Sequence, residues 1–190
     1  MGRWEPNTRA RLVHAAVDLF AEQGYDATSV TQIAERAGVS KMTFFRHFPD
    51  KREVLFAGQE FHGQLIAEGI AAAPDGATPL QAVGAALDVL TASFTPEQRE
   101  FGPRLQAVVG ANSELRERAV FKHAALAEAM AAALRRRGVT EPAASLAADL
   151  GVRAFDDAWG RWLDASCEQT FTELAGEALR ELRAASAALG

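Results

Sequence analysis

Apolar residues recur every three to four positions along almost the whole chain, and runs of strict alternation are absent. That period predicts an all-α fold of about nine helices. The first covers about 8–23, with Leu12, Ala16, Leu19 and Phe20 on one face and Gly24 as its stop. The second opens at Ser29, where Ser29 and Gln32 have the spacing of a capping box, and ends at Gly38. The third opens at Ser40 and ends before Pro49. Asp50 and Glu53 repeat the cap spacing and predict a fourth helix running from Asp50 towards Ala73. Beyond the Pro74-Asp75-Gly76 punctuation, a fifth helix is predicted over about 79–93. A sixth starts at Pro96, with Gly102-Pro103 expected to bend or break it. A seventh covers about 112–137, closed by Gly138. The eighth begins near Pro142 and reaches Leu163, and the ninth spans about 170–189.

Composition narrows the class. With 48% hydrophobic and 24% charged residues in 190, the chain has the material for a packed core, as one large domain or a small module joined to a larger one. The net charge of -5 argues against nucleic acid only until it is mapped. Residues 1–55 hold eight Lys/Arg and seven Asp/Glu, and the acidic excess lies beyond them. The single cysteine, Cys167, excludes an internal disulfide framework and fits a reducing, cytoplasmic setting. Met1-Gly2-Arg3-Trp4-Glu5-Pro6 lacks the apolar core of a leader, and no stretch has the length and purity of a membrane span.

The short second and third helices, joined by Gly38-Val39-Ser40, form a helix-turn-helix pattern. Val30, Ile33, Ala34, Ala37 and Val39 make the inner side of the corner, and Phe44 and Phe48, one turn apart, pack back onto it. The third helix then offers Lys41, Met42, Thr43, Arg46 and His47 on its free side. These are cationic donors for phosphate and base edges, a hydroxyl, and apolar groups suited to thymine methyls. Residues at the helix start reach the bases, so Lys41, Met42 and Thr43 are the specificity candidates. Lys51 is placed for a phosphate. The bland alternative is a three-helix corner inside an all-α enzyme with a solvated cationic face.

The combined pattern decides between them. LVHAAVDLFAEQGY (12–25), TSVTQIAERAGVS (28–40) and FFRHFPDK (44–51) together closely resemble the TetR family of transcriptional repressors over about the first 55 residues. The resemblance implies a DNA-binding domain at 1–50 and a ligand-sensing, dimerising domain at 51–190. It implies a phosphate contact from Ser29 or the adjacent Thr28, and backbone or base contacts for Thr43, His47 and Lys51; Ser40, at the helix start, is a further DNA-binding candidate. Phe45 stands where the family usually has tyrosine, so a hydroxyl bond to phosphate is expected to be missing. Met42 stands where a small residue is common, which bears on operator preference. The family's usual mode implies a repressor that binds a palindromic operator in double-stranded DNA as a homodimer and is released by a small molecule.

Beyond residue 60 the resemblance is one of layout. The ninth helix carries Phe171, Leu174, Ala178, Leu179 and Leu182 on one stripe, and the eighth carries Leu150 and Trp162. By family precedent these seven residues are expected at a dimer interface; the plainer reading is packing within one chain. Candidate ligand-lining residues are Phe61, His62, Leu65, Leu87, Arg104, Leu105, Val108, Phe121, Met130, Phe155 and Trp159. They imply a small, largely apolar ligand. Arg135-Arg136-Arg137 and Trp159-Gly160-Arg161-Trp162 bring in an acyl thioester as one class, although three arginines at a helix end are also explained by the helix dipole. The fourth helix, beginning at Lys51 and ending among these residues, is the expected link between reading and sensing.

No cofactor or metal is expected. Paired carboxylates, metal-spaced His/Cys clusters and nucleophile motifs are missing, which disfavours an enzyme. A protein adaptor that has lost operator reading is the third alternative, supported only by Phe45 and the modest positive charge of the module.

Overall fold

A computed structural model describes residues 8–189, the side chains of Gln59 and Glu60 apart. The amino-terminal residues read above as lacking a leader lie outside that range. Among the described residues there are nine α-helices and no strand: α1 (Thr8–Gln23), α2 (Val30–Arg36), α3 (Lys41–His47), α4 (Gln59–Ala72), α5 (Pro79–Ala92), α6 (Pro96–Ala111), α7 (Ser113–Arg136), α8 (Ala143–Trp162) and α9 (Phe171–Ala187). None is long and apolar enough to cross a membrane.

The helix starts follow the side-chain chemistry. Ser29 and Gln32 form both halves of a capping box on α2, as do Thr78 and Gln81 on α5 and Thr170 and Glu173 on α9. The Ser40 hydroxyl accepts the Thr43 amide at the head of α3. Two expectations need correction. The fourth helix is not continuous from Asp50: Glu53–Phe56 form a 3-10 turn, and Gly58 takes φ +98° before α4 begins at Gln59. A residue in the left-handed region cannot continue a right-handed helix. Asp50 still caps, accepting the amides of Arg52 (2.8 Å) and Glu53 (3.0 Å), but what it caps is the 3-10 turn. Gly102-Pro103, in contrast, does not break α6, which stays helical to Ala111. Proline there removes one backbone bond, and tertiary packing of the helix tolerates the loss.

The chain forms two compact units. The residues up to Gly58 combine with Gly102–Val120, and Gln59–Phe101 combine with the chain from Phe121 onward, so α6 and α7 contribute residues to both. In the first unit α1 packs on α2 and α2 on α3. Leu12, Ala16, Val17, Ile33, Phe44 and Val54 are buried there, and Val108 and Leu115 join from the later segment. Polar ties reinforce this. Arg118 pairs with Glu53, Arg104 with Asp18, and the Tyr25 hydroxyl donates to Glu114 at 3.2 Å.

In the second unit α5 is the central helix, packed against α4, α8 and α9. Ile66, Ile70, Val83, Leu87, Leu90, Met130, Leu134, Leu174 and Ala178 form its core. Arg137 closes it from the end of α7, its guanidinium donating to the carbonyls of Ala71, Ala73 and Pro74. Small residues let the helices approach. A Cβ placed on Gly69 in α4 would lie 2.6 Å from the Ala86 Cα in α5. Replacing a mid-helix glycine by alanine ordinarily stabilises by about 0.5–1 kcal/mol. Here the added methyl meets backbone, so Gly69→Ala is expected to destabilise by about 1–3 kcal/mol. Urea unfolding gives the sign directly, and a stabilised variant would contradict the close crossing.

Candidate nucleic-acid interface

Seven residues are too few for α3 to be helical alone, so its form and orientation come from packing. Phe44 and Phe48 supply it. They are 0% and 2% exposed, and their rings lie 5.8 Å apart. The turn before α3 is closed by Gly38 at φ +69°, with its amide on the Glu35 carbonyl and the Val39 amide on the Ala34 carbonyl. With Phe44 inward, about 100° per residue puts Met42 and Arg46 on the opposite side of the helix. Lys41 and Phe45 lie on one flank, Thr43 and His47 on the other. Lys41, Met42, Phe45, Arg46 and His47 are all exposed, Met42 at 76% and Phe45 at 49%. Thr43 is half-buried, with its hydroxyl 3.0 Å from that of Ser40. No acidic residue lies on α3. The Phe45 ring meets Phe44 edge-on at 5.5 Å and presents its remaining surface outward.

Other predicted contacts fall differently. Ser29 is exposed at the head of α2, its hydroxyl engaged with Gln32. Thr28 is 2% exposed and its hydroxyl donates to the Gly24 carbonyl at 2.8 Å, so the expectation of a phosphate contact from Thr28 is corrected. Its polar atom is already spent on closing the turn after α1. Lys51 is half-buried. Its ammonium donates to the carbonyls of Tyr25 (2.8 Å) and Thr28 (3.1 Å) and sits 4.0 Å from the Tyr25 ring centre. Only one of its three hydrogens is left for an outside acceptor. Beside it, burial and the Glu114 carboxylate push the Tyr25 phenol up, so it stays a neutral donor.

Five of the seven residues expected at a dimer interface pack within one chain. Trp162, Phe171, Leu174, Ala178 and Leu179 are buried inside the second unit. α9 packs on α5 and α8 of its own chain. Leu150 and Leu182 remain half-exposed, and Leu146 is 59% exposed.

The expected ligand-lining residues divide between the two units. Leu87 and Met130 are fully buried core. Arg104, Leu105 and Val108 belong to the first unit, and Phe61 and Phe121 are more than half exposed. Large apolar residues at helical spacing look alike in sequence whether they fill a core or line a hollow. His62, Phe155 and Trp159 do meet, around Phe94, which sequence reasoning passed over because it sits in the short α5–α6 connection. Its ring lies 5.3 Å from His62, 5.9 Å from Phe155, 5.5 Å from Trp159 and 5.2 Å from Phe171. Burial holds His62 below the usual histidine range. Arg99 braces the cluster, its guanidinium donating to the carbonyls of Trp162 and Cys167. The hollow of about 510 Å³ beside Asp156, Asp157, Asp164 and Cys167 is open and polar-rimmed; Gly160, Arg161 and Leu174 also line it, but none of the eleven candidate ligand-lining residues does. Of the arginines at the end of α7, Arg135 is paired with Glu128 and Glu141, and Arg137 holds the α4 carbonyls. Among the described residues, no group of three or more His, Cys, Asp or Glu is placed to hold a metal ion.

A capped corner of two short helices, with an acid-free outer face on the second, defines a helix-turn-helix protein. Residues 12–57 match the family of bacterial regulatory proteins described as the tetR family. It is similar to the HTH-type transcriptional regulator TcmR of Streptomyces glaucescens, 40% identical over 79 residues, covering 42% of this chain and 35% of that protein. It is also similar to the HTH-type transcriptional regulator BetI of Rhizobium meliloti (strain 1021), 35% identical over 104 residues, 54% of this chain and 49% of that one. The match therefore spans between a third and a half of these relatives' lengths. The fold is similar to that of a solved structure described as "Putative TetR-family transcriptional regulator from Syntrophomonas wolfei str. Goettingen", with a TM-score of 0.59, 18% identity, and 97% of this chain and 96% of that one covered.

The engaged ammonium of Lys51 gives a test. Lys51→Met removes two charge-assisted bonds that hold the turn between α1 and α2, so unfolding should ease by about 1.5–3 kcal/mol even without DNA. Thermal and urea unfolding of the free protein measure this. Unchanged stability would return Lys51 to the role of a free cation.

Proposed function

We propose that the chain is a ligand-responsive transcriptional repressor that binds a palindromic operator as a homodimer, with α3 in the major groove. The observation that carries this reading is the acid-free outer face of α3, held outward by the burial of Phe44. Lys41, Met42 and Thr43 at the helix start are the base-reading residues, with Arg46 and His47 one turn on. Ser29, Ser40 and the third hydrogen of Lys51 serve the phosphates. A dimer is favoured because one short helix on one half-site yields limited affinity. The outward side of α8 and α9, with Leu146, Leu150 and Leu182, is the surface left for a second copy. The aromatic cluster around Phe94 suits a small, largely apolar ligand. A shift there reaches the reading helices through α6 and α7, which contribute residues to both units, and not through a continuous fourth helix.

The experiment is fluorescence anisotropy with duplexes from the DNA flanking the protein's own gene, titrated at salt concentrations from about 50 to 200 mM. A protein neutralising several phosphates loses affinity steeply over that range, with a logarithmic slope of about -0.9 per phosphate. Specific binding with a steep slope is expected; binding that is absent, or indifferent to salt and sequence, would contradict the reading. Phe45→Tyr sharpens the test. A restored hydroxyl bond to phosphate should tighten binding by about 0.5–1.5 kcal/mol, or roughly 2- to 12-fold. An unchanged affinity would mean that this flank of α3 stands off the backbone.

A further inference from the structure

We propose that Met42, seconded by Phe45, makes the protein select thymine through the base's 5-methyl group. This rests on the reading of α3 as the major-groove helix. Large apolar side chains exposed on a soluble protein are informative when they cluster, and these two lie three residues apart on one seven-residue helix. Met42 is 76% exposed and projects from the first turn, opposite the buried Phe44. Phe45 presents about half its surface beside it. Lys41 and Arg46 flank the pair with positive charge and no acidic residue interrupts, so the apolar ridge is carried towards an anion while its own surface asks for an apolar contact.

In the major groove, the thymine methyl is the one apolar group that a base pair of unmodified DNA presents; the other edges offer donors and acceptors. Met42 has neither a strong donor nor a strong acceptor, and so cannot read those edges. Its unbranched thioether adapts to an irregular apolar surface. Facing a guanine O6 or N7, it would leave an acceptor desolvated and unpaired, a penalty that turns the same side chain into a discriminator against G·C at that step. Selection therefore comes from both the methyl gained and the acceptor left unpaired.

The test starts from duplexes enriched out of a random library by the full wild-type chain. Single thymines in an enriched duplex are then replaced by deoxyuridine, which deletes only the 5-methyl group. At one or two thymines per half-site, wild type should lose about three- to fivefold in affinity, the weight of one buried methyl-sized group. The Met42→Ala variant should bind thymine and uracil duplexes equally at that position, and Met42→Leu should retain the difference. Met42 is 76% exposed, so unfolding curves of the variants should overlay wild type. Uracil tolerated at every position by wild type, or an undiminished methyl dependence in Met42→Ala, would overturn the proposal while leaving DNA binding intact. Failure of wild type to enrich any duplex would overturn the DNA-binding reading itself, and this proposal with it.

Discussion

The burial of Phe44 is the constraint on which the reading surface depends. A helix of seven residues has too few internal bonds to persist in water, and its rotation about its own axis is undetermined until one face is fixed. Phe44, with no exposed surface, and Phe48, one turn later, fix it against the corner built by α1 and α2. Everything facing the opposite way then becomes available to a ligand. The charge of Arg46 and the apolar surface of Met42 face outward as a consequence of where Phe44 goes, and a rotation of one residue would turn both towards a flank.

The support beneath this corner is local and polar. Gly38 turns the chain where a side chain would be strained. Ser29, Gln32 and Ser40 satisfy amides that would otherwise be orphaned at helix starts. Thr28 and Lys51 close the turn after α1 from inside, one with its hydroxyl and the other with its ammonium. Thr28, the alternative to Ser29 for a phosphate contact, thus works on the protein's own backbone, and Lys51 can do both only through its last free hydrogen.

Much of this was legible in the sequence, for a physical reason: caps, glycine turns and the Phe44/Phe48 spacing are local signals whose partners lie within a few residues. The α2 capping box, the stop at Gly38 and the outward side of α3 follow from them. What depended on distant partners was not legible. The stripe on α9 is equally apolar whether it meets a second copy or α5 of its own chain, and it meets α5. Leu87 and Met130 have the spacing of lining residues and turn out to be core. Gly58 was overlooked within an otherwise helical pattern, and with it the break before α4. Phe94 lies in a connection, outside any periodic run, yet five other aromatic rings gather around it.

The central claim is that α3 enters the major groove with Phe44 turned away from the DNA. Dimethyl sulfate interference on a bound duplex tests it most directly, since methylation at guanine N7 obstructs the major groove and methylation at adenine N3 the minor. The account predicts that N7 methylation blocks binding in two clusters about one helical turn apart, or a multiple of it, while N3 methylation is tolerated between them. Interference confined to adenine N3, or indifferent to both grooves, would contradict it.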